Sequence, residues 1–240
     1  MRSFADRSTA TEMMDASDVT AADFAACLRD LATVNTVTRA RPPTLRWLAD
    51  ATHALPPGAA FTLLDVGFGE GDMLRAIDAW ALRAGFRPRL IGIDLNPRAE
   101  PAARAATDPA RDIEYRTGDL FALDPGERID FVISSLVTHH MDDAIIGRFL
   151  MWMETRAVRG WFVNDLRRHW FAFYGFRALA TVMRWHRFVR HDGPVSVARS
   201  FVVQDWERAL GTAAIPFGAA VIARAFPFRL TVGRLKRSAW

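Results

Sequence analysis

An α/β fold is predicted by three features of this 240-residue chain, with a mostly parallel sheet, helices on both faces and an antiparallel edge strand. Five short apolar runs, at 61–66, 89–94, 112–117, 129–135 and 160–165, alternate with stretches of helical spacing, the pattern of βαβ crossovers. The first run ends in Asp65 and continues as Val-Gly67-Phe68-Gly69-Glu70-Gly71. Glycines so placed mark a strand, a tight turn and a helix start that lie close to a ligand. Near the end, 221–226 and 228–235 alternate apolar residues with Arg around Pro227, which predicts an antiparallel pair at the sheet edge.

Taken in order, residues 1–17 are polar and are expected to fray. Residues 18–50 show helical spacing, with Phe24, Leu28, Leu31 and Val34 on one face. Pro42-Pro43 divides them into two helices, and Pro56-Pro57-Gly58 ends the segment. An N-terminal helical cap over 1–58, followed by a sheet domain over 59–240, is the resulting organisation. In the glycine turn, Asp65, Glu70 and Asp72 make the loop acidic, so it suits a cationic ligand and disfavours a pyrophosphate. The second run ends in Asp94, 23 positions after Gly71, where a carboxylate can accept both ribose hydroxyls of an adenosine. Three more strands follow at 112–117, 129–135 and 160–165. The stretch 166–199, before a helix opening near Asp205, is too long for a simple crossover. It carries Trp170, Phe171, Phe173, Tyr174, Phe176, Trp185 and Phe188, with Arg177, Arg184 and Arg187 expected on one helical face.

From Phe61 onward the chain resembles the class I S-adenosylmethionine-dependent methyltransferases. Four segments carry the likeness in the family's order: LLDVGFGEG at 63–71, LIGIDLNP at 90–97, TGDLFAL at 117–123 and IDFVISSLVTHH at 129–140. The resemblance implies a Rossmann-like sheet with S-adenosylmethionine as cofactor. It implies that Asp65, Gly67, Phe68, Gly69 and Gly71 hold the methionine part, that Asp94 with Leu95 binds the ribose, and that Asp119 and Leu120 lie near the adenine. Ser135, after the fourth strand, completes the implied cofactor set. Phe68 departs from the small residue usual in the family, and the expectation is that it narrows the pocket mouth. The insertion at about 166–199 is implied to be a lid over the acceptor.

Chemistry in such a sheet gathers at the carboxyl ends of the strands. His139 and His140 follow the fourth strand there, and Asp165 and His169 follow the fifth. These four are the catalytic candidates, since a histidine titrates near working pH and suits a general base. Asp165 is expected to orient His169, one helical turn on. His191-Asp192, in the lid, is a third and weaker group; His53 and His186 are taken as structural or solvated. No metal is expected, because Asn164-Asp165 offers two oxygen ligands and 134–138 adds no third carboxylate.

The bulk properties suit a single enzyme. Hydrophobic residues make up 50% of the chain, enough for a substantial core, and mean hydropathy is +0.02. One cysteine, Cys27, excludes an internal disulfide and fits a reducing compartment. With no apolar leader segment at its start, the chain is expected in the cytoplasm. The apolar stretch 213–223 contains Pro216 and is too short to span a bilayer, so no stable membrane insertion is expected. Residues 1–150 carry 16 basic and 22 acidic side chains, a net of −6; residues 151–240 carry 15 and 5, a net of +10. A basic half can attract nucleic acid or an anionic surface, yet the reading of an Arg-rich solvated face stands slightly ahead of that. The chain is therefore expected to be a monomer or homodimer that methylates a small, partly apolar acceptor, foremost the oxygen of a phenol, enol or quinol. Three alternatives stay open: an RNA methyltransferase, a nicotinamide-dependent oxidoreductase and a non-catalytic cofactor-binding protein. The first lacks an RNA-binding module, and no nucleic acid partner is expected.

Overall fold

Burial changes face residue by residue along the central strands, and that alternation organises the layers. The computed structural model describes residues 4–16 and 18–236. Its strands are β1 (Thr62–Val66), β2 (Arg89–Asp94), β3 (Ile113–Thr117), β4 (Ile129–Ser135), β5 (Ala157–Leu166), β6 (Val221–Ala225) and β7 (Arg229–Leu235). They form one sheet in the order β3-β2-β1-β4-β5-β7-β6. β1 to β5 run parallel, and β7 is antiparallel to both β5 and β6. The 221–235 pair forms as expected, with the reversed strand β7 paired to β5 and β6 outermost.

Leu63, Phe131, Ile133 and Phe162 point to one face, where Leu48, Leu74, Ile77 and Ala103 cover them. Leu64, Val132, Trp161 and Val163 point to the other, against Ile146, Phe149, Leu150 and Trp206. A strand's side-chain period of two puts successive residues on opposite faces, so a sheet covered twice needs nearly continuous apolar strands. The first face is covered by α2 (Arg41–Thr52), α3 (Asp72–Ala84) and α4 (Ala99–Ala106), the second by α5 (Asp143–Arg156) and α8 (Val203–Thr212). Trp47 of α2 stacks on Phe162 at 5.0 Å between ring centroids.

Two further helices, α6 (Trp170–Val182) and α7 (Arg187–Arg199), fill the long stretch after β5. The sequence expectation of a single basic face is corrected here. Helix α6 ends near Met183, Arg184 takes a left-handed φ of 52°, and His186 caps α7. Arg177 and Arg187 therefore lie on different helices. The break follows from Trp185, which is buried with Phe188 and Val189 against Cys27 and Val34 of α1 (Ala21–Val37).

The expected fraying of the N-terminus is also corrected for the described part of it; residues 1–3 and 17 lie outside the described residues. The guanidinium of buried Arg168 donates to the carbonyls of Phe4 (3.0 Å) and Ala5 (2.8 Å). Arg7 donates to the carbonyls of Arg199 and Met141. The Asp192 carboxylate accepts the Met13 and Met14 N–H groups at 2.8 and 3.0 Å. These charge-assisted bonds bind residues 4–14 as a strap across α7, although the strap has little apolar surface of its own. No helix among the described residues is long and apolar enough to cross a membrane.

Candidate functional site

Strand order reverses between β1 and β4, and the chain leaves their carboxyl ends in opposite directions. This opens a crevice above the sheet. A cavity of about 1250 Å³ fills it, lined by residues from the strap, α1, the glycine turn, the ends of β2, β4 and β5, helices α6 and α7, and the β6–β7 turn. Ligand cavities commonly measure about 300–1,000 Å³, so there is room for a cofactor and an acceptor together.

One end of the cavity is built by local sequence. Gly67 and Gly71 take left-handed φ values of 77° and 76°. A Cβ on Gly67 would collide with Val137 and one on Gly71 with Tyr115, so both positions need glycine for conformation and for space. Phe68 lines the cavity, while its ring packs on Tyr115 in the core at 5.0 Å, where Gly92 leaves the space for it. The three acids of the loop also separate. Glu70 pairs with Arg75 at 3.2 Å and Asp72 with Arg41 at 2.9 Å, so both are neutralised within the protein. Asp65 is different. It is 2 % exposed, and its Oδ1 has no hydrogen-bond partner. Burial, then Asp72 and Asp94, push its carboxyl well above the usual range. A buried carboxyl with an unpartnered oxygen has room for one more donor, and a cationic ligand group there would stabilise its ionised form.

Asp94 at the end of β2 accepts the N–H of Gly69 (3.0 Å) and of Asn96 (2.9 Å), which ties the glycine turn to the second strand. Each of its oxygens keeps a lone pair for a ribose hydroxyl. Leu95, Asp119, Leu120 and Ser135 line the same cavity. Asp119 caps the turn Leu120–Ala122 through the N–H of Phe121. Replacing Asp94 with Ala removes two charge-assisted hydrogen bonds, each worth about 1.5–3 kcal/mol. S-adenosylhomocysteine affinity should fall at least tenfold by calorimetry, with the fold intact by circular dichroism.

The other end is assembled from distant segments. Asp165, fully buried, accepts hydrogen bonds from Thr138 Oγ1 (2.5 Å), the His139 N–H (2.9 Å) and the Leu166 N–H (2.7 Å), and pairs with His139 Nδ1 (2.8 Å). Burial pushes this carboxyl up, but the charge of His139 and the hydrogen bonds outweigh it and hold it down at about 2. The expected pairing of Asp165 with His169 is corrected. His169 instead caps α6 through the Phe171 N–H and packs on Phe228 at 5.2 Å. An acid on Nδ1 fixes the tautomer of His139 and leaves Nε2 as the acceptor. That nitrogen lies 3.8 Å from the Glu12 carboxylate, and His140 Nε2 lies 3.7 Å from it. Glu12 is held by the Ser196 hydroxyl at 2.8 Å. It was missed in the sequence because nothing in a polar N-terminal stretch marks one acid for burial. The ligand atoms of Glu12, His139 and His140 lie within 4.8 Å of one another, a group different from the Asn164-Asp165 and 134–138 set weighed in the sequence. His191 pairs with Asp192 at 2.7 Å on the outer side of α7 and is half exposed.

Leu136, between the two halves, has a left-handed φ of 61°, a conformation that costs an ordinary residue energy and that clusters at functional sites. Its N–H donates to the carbonyl of Asn164, which holds the turn.

Residues 63–156 match a methyltransferase domain. Over 135 residues the chain is 32% identical to a ubiquinone biosynthesis O-methyltransferase of Rhodopseudomonas palustris, covering 53% of this chain and 49% of that protein. The chain thus spans about half the length of the curated relative it matches. Among solved structures it is similar to the plantazolicin methyltransferase BpumL in complex with a pentazolic desmethylPZN analog and S-adenosylhomocysteine. That likeness has a TM-score of 0.60 at 13% identity, over 91% of this chain and 97% of that one. Human N-acetylserotonin methyltransferase in complex with S-adenosylmethionine gives 0.61 at 14% identity, over 91% of this chain and 57% of that one. Structural likeness at such identity speaks for the fold. The domain match runs from β1 through α5, across the glycine turn and Asp94, and this stretch is similar to a methyltransferase domain.

Proposed function

We propose that this protein methylates an oxygen of a small, partly apolar acceptor, a phenol, enol or quinol, with His139 as the general base. The observation that carries the proposal is the His139–Asp165 pair at the cavity wall, 2.8 Å between Nδ1 and Oδ1. S-adenosylmethionine, held by Asp65, the glycine turn and Asp94, supplies an electrophilic methyl group on a sulfonium. What remains for the protein is to align the acceptor and to take its proton; orientation alone is worth about 7–11 kcal/mol in favourable cases. The acceptor hydroxyl gives its proton to Nε2 of His139, and Asp165 stabilises the imidazolium that forms. Leu166, Phe171, Phe176, Leu179 and Val189 line this part of the cavity and give an apolar acceptor its surface. Helices α6 and α7, with the strap, act as the lid that keeps water from it.

A second reading is favoured by the closeness of Glu12, His139 and His140. A divalent cation held by the three would carry the acceptor oxygen and lower its pKa without a base. One experiment separates the two. Formation of S-adenosylhomocysteine is followed over a panel of phenolic, enolic, amine and thiol acceptors, before and after exhaustive chelation. Activity that survives chelation, and that also survives His169→Ala, is the expected result. Loss on chelation with recovery on adding a divalent metal decides for the cation, and turnover confined to nitrogen or thiol acceptors rejects the oxygen assignment.

A further inference from the structure

Arg229 opens β7 beside Leu166, its register partner on β5, and is 1 % exposed. Its Nη2 donates to Thr38 Oγ1 at 2.9 Å, while Nε and Nη1 are buried without a hydrogen-bond partner. The residue lines the large cavity. Asp165, the acid whose charge acts on it, already receives Thr138, His139 and Leu166, and no hydrogen bond joins it to Arg229. Burial pushes the guanidinium down to about 10, still charged at neutral pH. A buried cation with unfilled N–H groups is among the costlier features a fold can keep, and a guanidinium has the fork that matches an oxyanion. The surroundings hold it in position. Phe228, with a left-handed φ of 45°, lies under the rings of His169 and Phe171, and the Arg167 N–H donates to its carbonyl at 2.8 Å. Asp65 and Asp94, the groups that suit the cofactor, lie at the ends of β1 and β2, whereas β5 and β7 are on the far side of β4.

We propose that Arg229 is the receptor for a carboxylate on the acceptor, so that this enzyme selects acceptors bearing an anionic group some distance from the methylated atom. The proposal rests on the acceptor half of the cavity assigned above. It explains a guanidinium that no described residue completes, and it adds specificity to a pocket whose remaining walls are mostly apolar. A neutral acceptor of the same shape would leave the cation buried and uncompensated, which is how a polar site rejects an analogue lacking its partner group.

The test uses a matched pair of probes, a hydroxynaphthoate and the corresponding hydroxynaphthamide. Each is titrated calorimetrically into protein saturated with S-adenosylhomocysteine. Wild type should bind the carboxylate at least tenfold tighter than the amide. Arg229→Gln should lose that preference while binding S-adenosylhomocysteine as wild type does. Arg229→Lys, which keeps the charge and is the safer variant for folding, should keep part of it. A second arm compares S-adenosylhomocysteine with its decarboxylated analogue. If Arg229→Gln weakens the first and spares the second, the oxyanion is the cofactor's own carboxylate and the acceptor assignment is overturned. Equal or undetectable binding of the two naphthalene probes by wild type also overturns it. Failure to bind S-adenosylhomocysteine at all, in wild type, would instead strike at the cofactor assignment.

Discussion

Asp65→Asn should abolish most cofactor binding, by about a hundredfold or more, and at the same time raise the melting temperature of the ligand-free protein at neutral pH. Asp65 is buried at the end of β1 with an unpartnered oxygen, and Asp72 and Asp94 add to the burial that raises its pKa. The sign follows from the direction of that shift. A carboxyl whose folded pKa lies above its unfolded value of about 3.9 favours the folded state only when protonated. Its cost therefore grows as pH climbs from about 4 to the folded pKa and is fully present above it. Asn keeps the size and removes the ionisation, so the gain in melting temperature should be larger at pH 8 than at pH 5. Cofactor binding has the opposite dependence on this residue, because a ligand cation stabilises the ionised form. Calorimetry of S-adenosylhomocysteine in buffers of different ionisation enthalpy should register proton release on binding to wild type and none to the variant. Wild-type affinity in a folded Asp65→Asn protein would move the cation elsewhere.

His139→Ala should lower turnover about a hundredfold or more while S-adenosylhomocysteine affinity stays within a factor of two or so, since the group removed acts on the acceptor's proton. Asp165→Asn should lower turnover to a similar extent and also destabilise the fold. Its carboxylate takes donors from Thr138, His139 and Leu166, and a single amide oxygen cannot accept them all. A buried donor left without its acceptor costs about 1–3 kcal/mol. The double variant should be little slower than His139→Ala alone, because the acid works through the imidazole and the two losses are not additive. With its pKa near 2, Asp165 contributes stability that is present above about pH 4 and lost as pH falls toward 2. It stays ionised across the working range, so any activity limb near neutrality belongs to another group. A double variant far slower than His139→Ala would give Asp165 an independent role.

The cofactor end of the cavity was legible in the sequence because its parts are contiguous. Asp65, Gly67, Gly69 and Gly71 are one strand end and one turn, and a single βαβ unit sets the distance to Asp94. Whether Glu70 and Asp72 face a ligand or an arginine depends on α2 and α3, which bring Arg41 and Arg75 to them. His139 was found from its place after β4, but its partner was misassigned. Proximity in sequence favoured Asp165 with His169, whereas β5 ends at Leu166 and His169 turns away to cap α6, and the 3-10 turn Thr138–His140 brings the His139 N–H and ring onto Asp165. Glu12 had no signal at all.

The succession of strands and helices along the chain and the glycine turn are thus properties of the amino-acid sequence by itself, since each depends on residues within a few positions or on one repeating spacing. The grouping of Glu12, His139, Asp165 and Arg229 was decided only by the tertiary structure. These four come from a strap, a turn after β4, the end of β5 and the start of β7, and they meet because the antiparallel pairing sets Arg229 against Leu166 and because Asp192 and Arg168 hold the strap over the cavity. Their spacing in the chain carries no period. The physical reason is that polar side chains which serve one another across a cavity are selected for distance in space, and only packing sets that distance.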